Sequence, residues 1–129
     1  MDASLTIQQA AAKTGLSAHT LRYYERVGLL SPIDREASGH RRYSEADLGW
    51  IDLLKRLRAT GMSIADMKRY ADFQREDDET YAKRIALLEA HRVRVLRQLD
   101  MLQTNLGIIE YKIDYYTQEK ERLESCSES

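Results

Sequence analysis

Apolar residues recur at helical spacing in four short runs over the first seventy or so positions, and polar or glycine punctuation brackets each run. Thr6 with Gln9 forms a capping-box pattern that opens a first helix, and Gly15 stops it. Ser17 caps a second helix that runs to Val27 and ends at Gly28, so residues 6–27 read as a helix-turn-helix. The segment "LLSPIDREASGHRRYS" carries the only proline, Pro32, and Gly39; we read residues 31–43 as a small β-hairpin, a wing, with Arg35 at its tip and Arg41, Arg42 and Tyr43 on its return strand. Ser44 with Asp47 begins a third helix over 44–60, where Leu48, Ile51, Leu54 and Leu57 form a buried stripe before Gly61. Ser63 with Asp66 opens a fourth, 63–73, with Ile64, Met67 and Tyr70 facing the core.

Residues 74–79, "QREDDE", contain no apolar residue and read as a linker that closes a first domain at residue 73. From residue 80 to 124 the pattern changes. Ile85, Leu88, Val95, Leu99, Leu102, Leu106, Ile109, Ile113, Tyr116 and Leu123 step by three and four, apart from gaps at Arg92 and Lys120. An apolar repeat of about 3.5 residues sustained over about five heptads is a coiled-coil seam, and a lone helix would leave it in water. The remainder offers no second long helix, so the seam predicts a homodimer through Leu88, Val95, Leu99, Leu102, Leu106, Ile109, Ile113 and Tyr116. Residues 125–129 are a polar tail. The fold class is thus mainly α.

The net charge of −1 hides a polarised chain: eleven Lys and Arg oppose eight Asp and Glu over residues 1–70, a surplus of +3, whereas residues 71–129 carry −4. A basic N-terminal part suits a polyanion. The chain has no apolar run of about 18 residues and no leader-like start, so no membrane partner is expected and a cytoplasmic location is. A single cysteine, Cys126 in the tail, excludes an internal disulfide and a multi-cysteine metal site, and no cofactor is expected. An enzyme reading lacks a glycine-rich phosphate loop and a nucleophile with its base, and His19, His40 and His91 stand at unrelated positions.

The stretch "TLRYYERVGLL" carries the candidate chemistry. A 3.6-residue period puts His19, Arg22, Tyr23 and Arg26 on one face, with Leu21 and Tyr24 turned towards the first helix. Tyr23 between two cations suits a phosphate or sugar, and Arg22 or Arg26 a guanine edge or the backbone. Arg41, Arg42 and Tyr43 form a second cationic aromatic cluster, and Arg58 beside the amides of Met62 and Ser63 a third phosphate contact.

"TIQQAAAKTGLSAHTLRYYERVGLL", "GHRRYSEADL" and "LKRLRATGMSIADMKRY", followed by a long terminal helix, resemble the MerR family of bacterial transcriptional regulators in order and over essentially the whole chain. The resemblance implies a winged helix-turn-helix on an antiparallel coiled-coil dimer. It also implies binding to a pseudo-palindromic operator in double-stranded promoter DNA, whose distortion realigns the promoter elements for RNA polymerase. With the first turn of the recognition helix included, the implied DNA contacts are Ser17, His19, Thr20, Arg22, Tyr23, Tyr24, Arg26, Arg41, Arg42, Tyr43, Arg58 and Ser63.

Within the family the chain is most similar to the short, aldehyde-responsive NmlR/AdhR-like branch, judged from "LLEAHRVRVLRQLDMLQTNLGIIEYKIDYY". Members of that branch carry a cysteine where this chain has Arg56, and arginine cannot serve as a low-pKa nucleophile. A small-molecule effector sensed non-covalently between coiled coil and DNA-binding domain is one expectation; a repressor with an unnamed effector is the other. The rival class is a coiled-coil adaptor without a DNA-binding role, in which Arg22, Tyr23 and Arg42 are dispensable.

Overall fold

The computed structural model describes residues 4–30, 42–76 and 78–128. Five α-helices follow one another: α1 (Ile7–Thr14), α2 (Ala18–Arg26), α3 (Glu45–Ala59), α4 (Ile64–Arg75) and α5 (Tyr81–Glu128). The expected wing lies, over residues 31–41, outside the described residues, and Arg35, Gly39 and Arg41 with it.

Each short helix starts where a side chain takes up an orphan amide. Thr6 and Gln9 close a reciprocal box at α1, with the Gln9 amide donating to Thr6 Oγ1 at 3.2 Å and the Thr6 amide to Gln9 Oε1 at 2.9 Å. Ser44 and Asp47 do the same at α3, at 3.1 and 2.8 Å. Ser17 and Ser63 cap α2 and α4 by accepting the amides of Thr20 and Asp66, each at 3.0 Å. Three stops need glycine: Gly15 ends α1 at φ 77°, and Gly28 and Gly61 follow α2 and α3 at φ 88° and 99°, a backbone region that side chains with a Cβ rarely enter. Beyond Gly28 the amides of Leu29 and Leu30 both turn back onto the Tyr24 carbonyl, at 2.8 and 3.2 Å.

Two compact units result, Met1–His91 and Arg92–Ser129. In the first, α1 packs on α2 and α3, and α3 on α4. Ala10, Leu21, Leu29, Tyr43, Ile51, Leu54, Met62 and Met67 have no exposed surface. The N-terminal segment is tied to the residue preceding α3 by a two-way antiparallel bridge, Leu5 and Tyr43 exchanging amide-to-carbonyl bonds of 2.8 Å each way.

Within residues 74–79, read from the sequence as a linker, Gln74 and Arg75 complete α4, and Asp78 and Glu79 belong to a 3-10 turn over Asp78–Thr80. Polar side chains replace the missing apolar anchors there: Thr80 Oγ1 and Arg84 Nη2 both donate to the Phe73 carbonyl, at 2.8 and 3.2 Å. Leu88, placed in the dimer seam, lies half-buried, packed with Leu87 against the core of the first unit. His91 is buried as well, its Nε2 2.7 Å from Thr60 Oγ1. Leu87, Leu88 and His91 thus turn one side of the start of α5 towards the core of the first unit, while Tyr81 and Ile85 stay exposed.

In the second unit α5 continues as helix, and Leu99, Leu102, Leu106, Ile109, Ile113 and Tyr116 are each 49–63 % exposed. Val95 is half-buried.

Candidate nucleic-acid interface

α2 presents the candidate site because its two faces differ. Leu21 is wholly buried and Tyr24 is 5 % exposed, so these two side chains pin the helix to the core. One helical step round, His19, Arg22 and Arg26 are exposed, with Thr20 and Tyr23 half-buried beside them. The Arg26 guanidinium lies 5.6 Å from the centre of the Tyr23 ring, a cation–π contact that holds both side chains on the outer face. The Tyr23 and Tyr24 rings are 6.1 Å apart and tilted by 50°, one at the surface and one inside.

Burial raises the Tyr24 phenol above its ordinary value, because the phenolate would lose solvation. The Arg58 charge acts in the opposite direction, which places Arg58 within electrostatic reach of α2. Arg58 itself is exposed and donates from Nη1 to the Met62 carbonyl at 3.2 Å. Exposed His19, Arg22, Arg26 and Arg58 thus carry donors and, in three of the four, permanent positive charge.

The remaining expected contacts divide. Ser17 and Thr20 are joined by their hydroxyls at 3.0 Å inside the α2 cap, so they shape the start of the helix. Ser63 caps α4. The Met62 amide, read from the sequence as available to a phosphate, donates instead to the Leu57 carbonyl at 2.9 Å, the bond that closes the turn after α3. Arg42 is half-buried and clamps the N-terminal segment, from Nε to Ser4 Oγ at 3.1 Å and from Nη2 to Ser4 O at 2.8 Å. Tyr43 corrects the implied wing contact most sharply: its side chain is wholly buried, so it is a core residue here. Tyr24, implied as a contact by the resemblance, likewise keeps its ring inside, as its position opposite Arg22 predicts.

Several tertiary contacts that steady the interface have no sequence signature. Trp50 Nε1 donates to the Leu29 carbonyl at 2.8 Å while its ring stacks on Tyr70, centres 5.4 Å apart and planes 9° apart. Lys55 Nζ donates to the Thr14 carbonyl at 2.8 Å, where a cation favours the negative end of α1. Arg75 Nη2 reaches the Gly28 carbonyl, the first residue beyond the α2 cap, at 2.6 Å. The three hydrogen bonds each join residues more than twenty positions apart, and long polar side chains have no periodicity that marks a partner at that distance.

Residues 5–74 match the family model described as the MerR HTH family regulatory protein. The chain belongs to the MerR family. Like other MerR chains it resembles regulators: it is 40 % identical to an uncharacterized HTH-type transcriptional regulator of Haemophilus influenzae over 89 % of this chain and 85 % of that one. It is 42 % identical to the HTH-type transcriptional regulator AdhR of Bacillus subtilis, over 71 % and 66 % of the two chains. Among solved structures it is similar to HiNmlR, a MerR family regulator lacking the sensor domain and bound to promoter DNA. The TM-score is 0.82 and the identity 39 %, covering 91 % of this chain and 93 % of that one. A putative MerR family transcriptional regulator from Listeria monocytogenes superposes with a TM-score of 0.85 at 36 % identity, over 98 % of this chain and all of the other. The protein is accordingly a MerR-family transcriptional regulator of the NmlR/AdhR-like branch, with a helical DNA-binding fold and a long C-terminal helix; the adaptor reading is not favoured. No helix among the described residues is long and apolar enough to cross a membrane.

Proposed function

We propose that this regulator binds a pseudo-palindromic operator in double-stranded promoter DNA as a homodimer and distorts it to control access by RNA polymerase. The carrying observation is the divided α2 helix, with Leu21 and Tyr24 anchored inside and His19, Arg22, Tyr23 and Arg26 along its outer side. A helix of this kind fits the major groove, where an arginine fork reads guanine and a tyrosine or histidine meets the backbone. Arg58 and the capped start of α4 flank it, and residues 1–73 form the DNA-binding domain. Similarity to a regulator bound to promoter DNA supports the reading.

Residues 80–124 supply the dimerisation helix. Six apolar side chains, Leu99, Leu102, Leu106, Ile109, Ile113 and Tyr116, stand exposed on one stripe of α5, which a second copy in antiparallel register would cover. Two α2 helices related by a two-fold axis then read two half-sites, and bending or underwinding between them costs a few kcal/mol that phosphate contacts offset. A small organic effector held without a covalent bond is one reading and a repressor with an unnamed effector the other, since Arg56 provides no thiol nucleophile at its position in α3.

Selection of bound duplexes from a random pool tests the proposal. A two-fold-symmetric motif should be enriched, and Arg22→Ala should lower its affinity by roughly tenfold or more per half-site contact without changing the unfolding midpoint. Absence of any enriched motif, or an Arg22→Ala protein that selects the same motif with undiminished affinity, refutes it.

A further inference from the structure

Beside the junction of α2 with Leu29 and Leu30, the flanks of α3 and α4 enclose a half-open recess of about 170 Å³. That is on the scale of the roughly 150 Å³ apolar cavity that takes up one benzene ring. Leu29, Leu30 and Ala71 supply aliphatic wall and the Trp50 indole an aromatic one. The indole does not have to move to receive a guest, because its Nε1 is held by the Leu29 carbonyl at 2.8 Å and its ring is stacked on Tyr70. A wall fixed in advance lowers the ordering cost of binding.

The charged lining is one carboxylate, Asp47, and one guanidinium, Arg75. An ion of either sign would gain from one and lose to the other, so the recess favours an uncharged guest. Asp47 accepts the Ser44 amide with Oδ2 at 2.8 Å, and a carboxylate has acceptor capacity beyond one such bond. Arg75 donates from Nη2 to the Gly28 carbonyl at 2.6 Å and its Nη1 lies 3.5 Å from Asp72 Oδ1 in a solvent-screened pair, and a guanidinium fork carries five N–H groups in all. We propose that this recess binds a small, uncharged, planar aromatic molecule with a hydrogen-bond donor and an acceptor at one edge, the donor meeting Asp47 and the acceptor Arg75.

The location gives such a guest a route to DNA. Arg75 grips the carbonyl just beyond the recognition helix, and Leu29 and Leu30 hang from the Tyr24 carbonyl at the helix end, so a guest that draws on Arg75 acts on the C-terminal end of α2. That effect rests on the DNA-binding reading above, whereas binding in the recess does not.

Trp50 is the only tryptophan, so its emission reports on the recess alone. The probe is benzamide, a ring with an amide donor and a carbonyl acceptor, titrated into the full chain with excitation at the red edge of the indole band. A ligand of about nine heavy atoms should saturate with a Kd on the order of 1 mM. Ala46→Leu places a larger side chain into the same recess from an exposed position in the first turn of α3 and should weaken binding by about tenfold or more, with its circular dichroism unchanged. A change that stays linear to about ten times that concentration, or equal binding by a folded Ala46→Leu protein, overturns the site. With a selected duplex, benzamide should shift half-saturation of the wild type and not of Ala46→Leu. Saturable benzamide binding without any enriched duplex would leave the site standing and remove the DNA reading; an enriched duplex without benzamide binding would do the reverse.

Discussion

Tyr43 separates the structural reading from the one implied by family resemblance, because a core ring and a DNA-contacting ring fail in different ways. Its side chain is wholly buried beside Leu21, Leu54 and the rest of the first-unit core. Removing a fully buried aromatic ring costs about 3–5 kcal/mol, the lost transfer energy plus the cavity left behind. Against the 5–15 kcal/mol that holds a domain of this kind, a loss of about 4 kcal/mol lowers the folded-to-unfolded ratio roughly a thousandfold. The two main-chain bonds between Leu5 and Tyr43 survive in Tyr43→Ala, so the packing term stands alone. With a urea slope of about 1.5 kcal/mol per molar, the midpoint should fall by roughly 2–3 M. The assay is urea unfolding followed by circular dichroism at one fixed protomer concentration, since dimerisation shifts any midpoint by mass action. Tyr43→Phe keeps the ring and should lose no more than about 1.5 kcal/mol. Operator affinity measured on the folded fraction should be unchanged in Tyr43→Phe. A Tyr43→Ala protein as stable as the wild type, or a stable Tyr43→Phe protein with weakened operator binding, would refute the core assignment.

Three further outcomes follow from the same coordinates. Ser44→Ala removes the hydroxyl that accepts the Asp47 amide at 3.1 Å and should destabilise the chain by about 1 kcal/mol in the same urea assay; an unmoved midpoint would mean that the cap contributes nothing. Ile109→Glu puts a charge on the exposed stripe of α5, away from the first-unit core, and should convert a dimer to a monomer in sedimentation equilibrium while leaving helicity of the first unit intact; a persistent dimer would move the interface elsewhere. Because burial raises the Tyr24 phenol above its ordinary 10.0, its protonated ring contributes stability that is complete below pH 10 and lost as pH rises through the higher folded value. Thermal unfolding between pH 9 and about 11 should therefore fall less steeply for Tyr24→Phe than for the wild type, and parallel profiles would contradict the burial effect.

The local code of this chain is legible without coordinates. Thr6 with Gln9, Ser17, Ser44 with Asp47 and Ser63 act within three residues of their partners, so each start signal can be read in a window of four positions. The stops at Gly15 and Gly28 depend on one residue's backbone freedom. The division of α2 into an anchored face and an outer face follows from helical period alone, which is why Leu21 and Tyr24 fall inside and Arg22 and Arg26 outside as their spacing predicts.

Legibility ends where a side chain's environment is made by distant segments. Tyr43 and Arg42 sit in one basic aromatic string with nothing local to tell them apart, yet the Leu5 bridge turns one into the core and Ser4 captures the other. Leu88 has the right heptad position for a seam and also packs, half-buried, against the core of its own unit, because a periodic pattern states that a face is apolar and not what it meets. The clasps from Trp50 to Leu29, Lys55 to Thr14 and Arg75 to Gly28, and the recess lined by Trp50, Leu29 and Arg75, have no pattern in one dimension. The amino-acid order alone determined where the capped helices begin, where α1 and α2 stop, which faces are apolar and which family the chain resembles, since those depend on interactions within a few residues. Only the tertiary structure decided which cations are clasped inside the fold and that the Tyr43 ring is core, because those depend on contacts between residues brought together by folding.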